Sequence, residues 1–403
     1  VFDSAGNTFS LYIHIPFCSH KCPYCDFNTY AVGIVPEKQY IAALRAELDF
    51  RATEQNWRGK TISTIFFGGG TPSILSAAGI KEIIDSAYGH FDILANAEIS
   101  LEANPGAIDA KWVEGIAAAG VNRLSLGGQS FESRVLTNLG RKHSPEDIAT
   151  AVKLAYTTGV TNLSLDLMLG TPTQTLGGFK DDLIEATSLP VNHISVYALT
   201  VEKGTPFYQS AKRGALKLPR EESVIAMMDH VEEFLPAQGL RRYEVSNYAI
   251  PGHEAQHNLG YWRGHSYLGI GAGAHTYSDA SASGTPFGIR WSNTAPFQGY
   301  IDSTLATGAA VSWNETLTVE NAIFERLFLG LRTVEGVSLA DWKERFGVSP
   351  TDVYGSTLNV LSHEGFLTYD TDQNLRLTSA GFRLFDSILE QFASPVIPPV
   401  TAQ

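Results

Sequence analysis

Cysteine and methionine are nearly absent, with three of each in 403 residues. A disulfide framework is a poor fit, because three thiols leave one unpaired and a chain this long can bury a core without staples. Positive charge is also short: 29 Lys and Arg stand against 42 Asp and Glu, for a net charge of −13. That argues against a general affinity for nucleic acid or anionic membrane, since both need a positive surface. No apolar run approaches the ~20 residues of a transmembrane helix. The N-terminus carries no basic segment followed by an apolar one, so no signal peptide is visible. The chain begins at Val1, which leaves room for an initiator Met or a longer leader removed before it. Low-complexity segments are missing as well. What remains is 44% hydrophobic and 18% charged, the balance of a soluble globular protein, and the length suggests two or three domains.

All three cysteines fall in one stretch, Cys18-Ser19-His20-Lys21-Cys22-Pro23-Tyr24-Cys25. A structural zinc site wants four ligands, usually from paired C-x-x-C knuckles or nearby histidines. Three thiolates on one short loop suit a cubane iron–sulfur cluster better, holding three irons and leaving the fourth open to a substrate or cofactor. A catalytic zinc with an open position is the alternative. An exposed cluster is oxygen-sensitive and favours a reducing interior, so the expected location is cytoplasmic.

Around this loop the chain alternates. Ser10 to Ile15 reads as a strand ending at Pro16, and Pro36 opens a helix with Tyr40, Ile41, Leu44 and Leu48 on one face. Thr61 to Phe67 is a β-branched and aromatic strand that runs into Gly68-Gly69-Gly70-Thr71-Pro72. Glu98 to Glu102, Arg123 to Leu126, Asn162 to Leu167 and His193 to Tyr197 are further strands. Helices are expected at Ala110 to Ala119, from Ser144-Pro145-Glu146 to Gly159, and near Phe179 to Ser188. Six such alternations imply an α/β fold of parallel strands with crossover helices, closed or nearly closed into a barrel. The chemistry of such barrels sits at the C-terminal ends of the strands, where the cysteine loop and the glycine turn both fall. Taken alone, the glycines read as an ordinary strand-to-helix turn; beside the cysteines they let backbone approach a ligand closely. Asp166, inside the apolar strand Leu163 to Leu167, either faces the barrel mouth or would carry a heavy burial cost.

The C-x-x-x-C-x-x-C spacing resembles that of the radical S-adenosylmethionine (SAM) superfamily. Tyr12 to Phe17 before the cysteines and Asp26-Phe27-Asn28 after them resemble the narrower group of oxygen-independent coproporphyrinogen III oxidases and their heme chaperone relatives. The resemblance implies a partial, TIM-like parallel (β/α)6 barrel, a [4Fe-4S] cluster on Cys18, Cys22 and Cys25, and SAM chelated at the open iron. It places Gly69, Gly70 and Thr71 at the amino end of SAM, with Glu102, Gln129, Arg141 and Asp166 around it. Tyr12, Tyr24 and Thr200 also fall at family cofactor positions. Each of these polar residues has an ordinary reading as a strand-end side chain. Gly128 and Thr171 stand where the family pattern has larger apolar residues.

Glu221 to Leu235 reads as a helix, and beyond it His257-Asn258-Leu259-Gly260-Tyr261-Trp262 resembles the H-N-x-x-Y-W signature of the heme chaperone branch. That resemblance assigns heme contacts to His257, Asn258, Tyr261 and Trp262, an imidazole for iron and rings for a flat porphyrin. In the alternative, His257 and Asn258 hold a loop by hydrogen bonds while Trp262 plugs the open side of the barrel. His265 and His275 are nearby imidazoles.

From about Thr316, an amphipathic helix through Ile323, Phe324, Leu327 and Leu331 is followed by helices starting at Ser338, with Asp341 completing a capping box, and at Ser349-Pro350. Phe366 to Tyr369 and Leu375 to Thr378 flank a polar turn. This reads as a mostly helical, winged-helix-like domain, with a loosely ordered tail over Pro395 to Gln403. The expected division is 1–215 barrel, 216–315 barrel extension with the H-N-x-x-Y-W element, and 316–403 C-terminal domain.

Two departures separate the chain from the oxidases of the group. Those enzymes carry a further cysteine two residues after the third ligand, where Phe27 stands here. They also have a long N-terminal segment, whereas the first strand here already begins at Ser10. The heme chaperone branch is therefore the preferred reading: heme taken up and passed to acceptor hemoproteins such as respiratory enzymes. No nucleic acid partner is expected, and any peripheral membrane association would come through partners. A porphyrinogen oxidoreductase is the runner-up. A nucleic-acid-modifying radical SAM enzyme is disfavoured by charge and by the lack of a second cluster site.

Overall fold

The computed structural model describes residues 7–369, 374–393 and 395. The polar turn after Tyr369 and the tail beyond Pro395 lie outside the described residues. Six parallel strands follow one another in chain order across the centre of the fold: β1 (Thr8–Ile15), β2 (Thr61–Gly69), β3 (Asp92–Ala103), β4 (Arg123–Gln129), β5 (Asn162–Leu169) and β6 (His193–Ala198). Crossover helices α1 (Glu37–Arg51), α2 (Ala77–His90), α3 (Ala110–Ala118), α4 (Ser133–Asn138), α5 (Pro145–Thr157) and α6 (Leu176–Ser188) connect them. Four of these six helices start on a side-chain cap. Ser76, Asp109 and Thr175 accept from the third backbone N–H of α2, α3 and α6, and Ser144 with Asp147 forms a full capping box on α5.

Register sorts the strand side chains into two faces. Leu11, Ile65, Leu101, Leu124, Leu165 and Ile194 share the face that packs on the helices in the main core. The opposite face is polar: Tyr12 neighbours Phe66, Glu102 neighbours Ser125, and Asp166 neighbours Ser195. Parallel strands covered on both sides usually read as continuous apolar runs. Alternation here means that the inner wall is kept for polar groups, which is why Asp166 is tolerated inside its strand.

The sheet continues on both sides to 12 strands. Beside β6 lie the antiparallel β7 (Arg241–Arg242) and β8 (Asn247–Ala249). Beside β1, β9 (Tyr267–Ile270) pairs parallel, followed by antiparallel β10 (His275–Ser278), β11 (Ile289–Asn293) and β12 (Val311–Thr316). Among the described residues the edge strands β7 and β12 do not pair, so the barrel stays partial. The sequence pattern does not mark β9–β12, which are short and interrupted by glycines and by the helices Ala280–Ser283 and Phe297–Thr307.

Buried Glu47 of α1 fastens this extension. Its carboxylate accepts from Gly271 N–H at 3.1 Å, the Tyr300 hydroxyl at 2.7 Å, Asn293 Nδ2 at 2.9 Å and Arg51 at 3.3 Å.

A second hydrophobic core, centred on Ile323, Leu327, Trp342, Leu358 and Phe392, holds the C-terminal part. It contains α7 (Val319–Gly330), α8 (Leu339–Phe346) and α9 (Pro350–His363), with a small antiparallel sheet of Val337–Ser338, Asn374–Leu377 and Leu367–Tyr369. The strand at Val337 adds a member to the expected two-stranded wing. Ser338 Oγ caps α8 by accepting from Asp341 N–H at 3.2 Å. Among the described residues, no helix is long and apolar enough to cross a membrane.

Candidate functional site

The cysteine loop leaves the end of β1 and is tied at several points. Phe17–Cys18 pairs with Tyr30–Ala31, Cys25 N–H donates to Cys22 O at 3.2 Å, and Lys21 Nζ reaches Phe27 O at 3.1 Å. Asn28 Nδ2 crosses to Ala272 O and Ala295 O, both at 3.0 Å. The glycine turn after β2 docks onto the loop's entry: Gly70 N–H donates to Ile15 O at 2.8 Å and Thr71 N–H to Phe17 O at 2.9 Å. A Cβ on Gly70 would stand 2.7 Å from Phe17 O and 3.0 Å from Cys18 Sγ, so only glycine allows this approach.

The three thiols face one another closely enough that Cys22 and Cys25 both act on Cys18, whose pKa is pushed up chiefly by burial. Thr71 Oγ1 donates to Cys18 Sγ at 3.4 Å, Asn104 Nδ2 donates to Thr71 Oγ1 at 3.2 Å, and Arg141 Nη2 donates to Asn104 Oδ1 at 2.6 Å. Arg141 Nη1 also reaches Cys22 Sγ at 3.9 Å. Gly140, at φ +69°, ends α4 and leaves room for Pro23 where a Cβ would lie, which delivers Arg141 to the cysteines. One guanidinium thus contacts Cys22 directly and orients a donor chain to Cys18. Among the described residues no three His, Cys, Asp or Glu side chains converge on a point for a single metal ion.

A cavity of about 440 Å³ opens beside these sulfurs. Tyr24, Gly69, Gly70 and Thr71 line it from the loop side, and Glu102, Gln129, Arg141, Asp166 and Thr200 line it from the strand ends. Tyr12 lies elsewhere: it faces the neighbouring cavity and its hydroxyl donates to His14 Nδ1 at 3.0 Å, while His14 Nε2–H donates to Asn28 O at 3.0 Å. Asn104 and Ser125, which sequence reading did not single out, also belong to the site. Ser125 Oγ donates to Asp166 Oδ1 at 3.1 Å. Gln129 adopts φ +71°, a strained conformation for a side-chain-bearing residue, at the end of β4. Gly128 is filled from outside, since a Cβ there would meet Leu165 at 2.8 Å, and Thr171 is fully buried.

Glu102 accepts from Gly69 N–H at 3.2 Å. Burial first, and then the nearby Asp166 carboxylate, raise its pKa to about 8. Asp166 is raised too, mainly by burial and against the hydrogen bonds of Ser195 and Ser125. Neither forms an ion pair among the described residues. Two carboxylates held this way fit a cationic ligand, and the thiol trio with its guanidinium fits an anionic cluster.

The larger neighbouring cavity, of about 650 Å³, shares Phe27, Gly69 and Glu102 with the first and runs towards α7 and α8. Tyr261 and Trp262 line it. His257, from the helix Gln256–Trp262, does not. It is fully buried, with Nδ1 on Thr64 Oγ1 at 2.8 Å and Nε2 on the Tyr261 hydroxyl at 2.9 Å. Burial lowers its pKa to about 3, so the ring is neutral. Glu98, buried on the inner wall, accepts the backbone N–H of both Gln256 and His257 at 3.1 Å and seats the helix. Asn258 is part-buried and lines neither cavity. The loop-holding alternative therefore describes the contacts of His257.

Residues 12–185 match the model of the radical SAM superfamily, and residues 317–384 match that of the HemN C-terminal domain. The heme chaperone HemW of Bacillus subtilis is 38% identical over 388 residues, 95% of this chain and 98% of that protein. HemW of Escherichia coli is 36% identical over 387 residues, covering 95% and 97%. The solved structure of the coproporphyrinogen III oxidase HemN from Escherichia coli superposes with a TM-score of 0.82 at 24% identity, covering 96% of this chain and 91% of that one, which establishes the fold. Given identities above a third over nearly the full length of both chains, the protein belongs to the HemW heme chaperone family of the radical SAM superfamily.

Proposed function

We propose that this protein is a heme chaperone that takes up heme beside a SAM-binding iron–sulfur site and passes it to acceptor hemoproteins such as respiratory enzymes, in the cytoplasm. Superfamily membership implies a [4Fe-4S] cluster and SAM, which supply one-electron chemistry when bound. Cys18, Cys22 and Cys25 would hold the cluster. The carboxylates Glu102 and Asp166 would take the cationic groups of SAM, and the glycine turn keeps the approach open.

The observation that carries the reading is the junction of the two cavities. Phe27, Gly69 and Glu102 belong to both walls, so a large apolar ligand would sit directly against the SAM site. Support also comes from the relatives, which are named heme chaperones. Tyr261 and Trp262 would form part of the heme wall. Among the imidazoles, His275 is the iron contact we favour: it lines the larger cavity and has no ring hydrogen bond among the described residues. Burial and Arg290 lower its pKa, which keeps it neutral and able to ligate. The two separate cores support a C-terminal domain from residue 316, with 216–315 as an extension of the 1–215 barrel.

The test is anaerobic reconstitution followed by heme titration and a parallel coproporphyrinogen III assay. About four irons and four sulfides per chain are expected, lost in Cys18→Ala, Cys22→Ala or Cys25→Ala. Heme should bind at about one per chain, with coproporphyrinogen III unchanged. Tightly held zinc, or SAM-dependent decarboxylation, would overturn the reading.

A further inference from the structure

The larger cavity is lined by two guanidinium groups without an ion-pair partner among the described residues. Three arginines line it: Arg290 on β11, Arg326 on α7 and Arg345 on α8. Arg290 pairs with Glu315 at 3.0 Å and Glu325 at 2.5 Å, and Glu325 also feels the charge of Arg345. Arg326 and Arg345 form no ion pair among the described residues. Arg326 Nη1 donates only to Arg263 O at 3.2 Å, and Arg345 Nη2 donates to the Tyr277 hydroxyl at 3.0 Å. The two are close enough to oppose each other: burial and then the charge of Arg345 lower the pKa of Arg326, with Asp341 acting the other way. Two like charges beside an apolar space cost free energy unless a ligand compensates them. The surrounding wall is aromatic and aliphatic, including Tyr261, Trp262, Phe328, Leu329 and Leu317. Its volume lies within the range of cavities that enclose a whole small ligand.

We infer that this cavity seats a flat apolar macrocycle bearing two carboxylates, with Arg326 and Arg345 as the carboxylate clamp. The inference rests on the heme-chaperone reading and goes beyond it, because it assigns heme's propionates to two side chains outside the H-N-x-x-Y-W element. Guanidinium–carboxylate pairs are bidentate and strong when partly desolvated. Both arginines come from the C-terminal domain, while Tyr12, His14 and Glu102 come from the barrel. Heme in this seat therefore bridges the two units, and separating them would open its exit.

The experiment titrates the reconstituted full chain with heme and with heme dimethyl ester, in wild type, Arg345→Gln and Arg326→Gln/Arg345→Gln. Wild type should bind heme at least about tenfold more tightly than the ester, since each charged hydrogen-bonded pair contributes at that level. The double variant should bind both with equal affinity, at the wild-type level for the ester. Arg345 is exposed, so Arg345→Gln alone should keep the fold and show part of the loss; it carries the comparison should the double variant lose its cluster. Wild-type heme binding unchanged in the variants would overturn the clamp and leave the chaperone reading standing. Absence of heme binding by wild type would overturn both.

Discussion

Glu102 and Asp166 lie on the inner wall two strands apart, and the charge of Asp166 helps hold Glu102 at a pKa of about 8. The raised value means that the folded protein binds a proton the unfolded chain would release. Its stabilising contribution is complete below the ordinary value of 4.5 and is lost as pH rises through about 8.

A cation entering the cavity favours the ionised form, so SAM binding should release this proton. SAM affinity, measured calorimetrically between pH 6.5 and 8, should rise with pH by up to about tenfold per unit. Glu102→Gln should flatten that part of the slope while lowering affinity at pH 8. An identical slope in the variant would remove Glu102 from the SAM site.

The neighbouring glycines should respond differently. A Cβ on Gly70 meets the loop backbone and Cys18 Sγ, whereas one on Gly69, at φ +113°, meets the His14 imidazole. Gly70→Ala should reduce iron content after reconstitution. Gly69→Ala should retain iron, lower stability by about 1–2 kcal/mol from the left-handed backbone alone, and weaken the SAM-induced change in the electron paramagnetic spectrum of the reduced cluster. Full iron loading of Gly70→Ala would contradict the docking of the turn on the cysteine loop.

His257 and His275 should also separate. His257→Ala removes two buried hydrogen bonds and leaves Thr64 and Tyr261 partnerless at that ring, a loss of about 2–4 kcal/mol in denaturant unfolding. The Soret band of the heme complex should nonetheless keep its position. His275→Ala should leave stability nearly unchanged and shift that band. The reverse pattern would return iron ligation to His257.

Glu47→Ala should cost about 3–5 kcal/mol, because it leaves Arg51 with Glu54 alone and frees the donors of Gly271 and Tyr300 inside the core. Since that network fixes the turn next to Asn28, the variant should also reconstitute less cluster. A change below 1 kcal/mol would mean that the extension holds its place without Glu47.

Much of the site was legible because its determinants are local. The cysteines share one loop, the glycine turn directly follows a strand, and Asp166 interrupts an apolar run where only an inward-facing position tolerates it. The six strand–helix units follow from periodicity and from caps such as Ser144 with Asp147. Other parts depend on contacts that sequence spacing does not reveal. Tyr12 sits one cavity away because its hydroxyl is taken up by His14. His257 looks like a free ligand in the hexapeptide, but Thr64, 193 positions earlier, occupies its Nδ1. Nothing in the sequence pattern marks Arg326 or Arg345; only the packing of α7 and α8 against the barrel mouth places them in a cavity wall.

Transfer of heme is the measurement closest to the central claim. Reconstituted protein loaded with one heme per chain would be mixed anaerobically with a heme-free acceptor, and both absorption spectra followed after separation. The account predicts that heme leaves this protein and appears in the acceptor, while coproporphyrinogen III supplied in parallel with SAM stays intact. Retention of heme by the donor together with SAM-dependent decarboxylation of coproporphyrinogen III would contradict it.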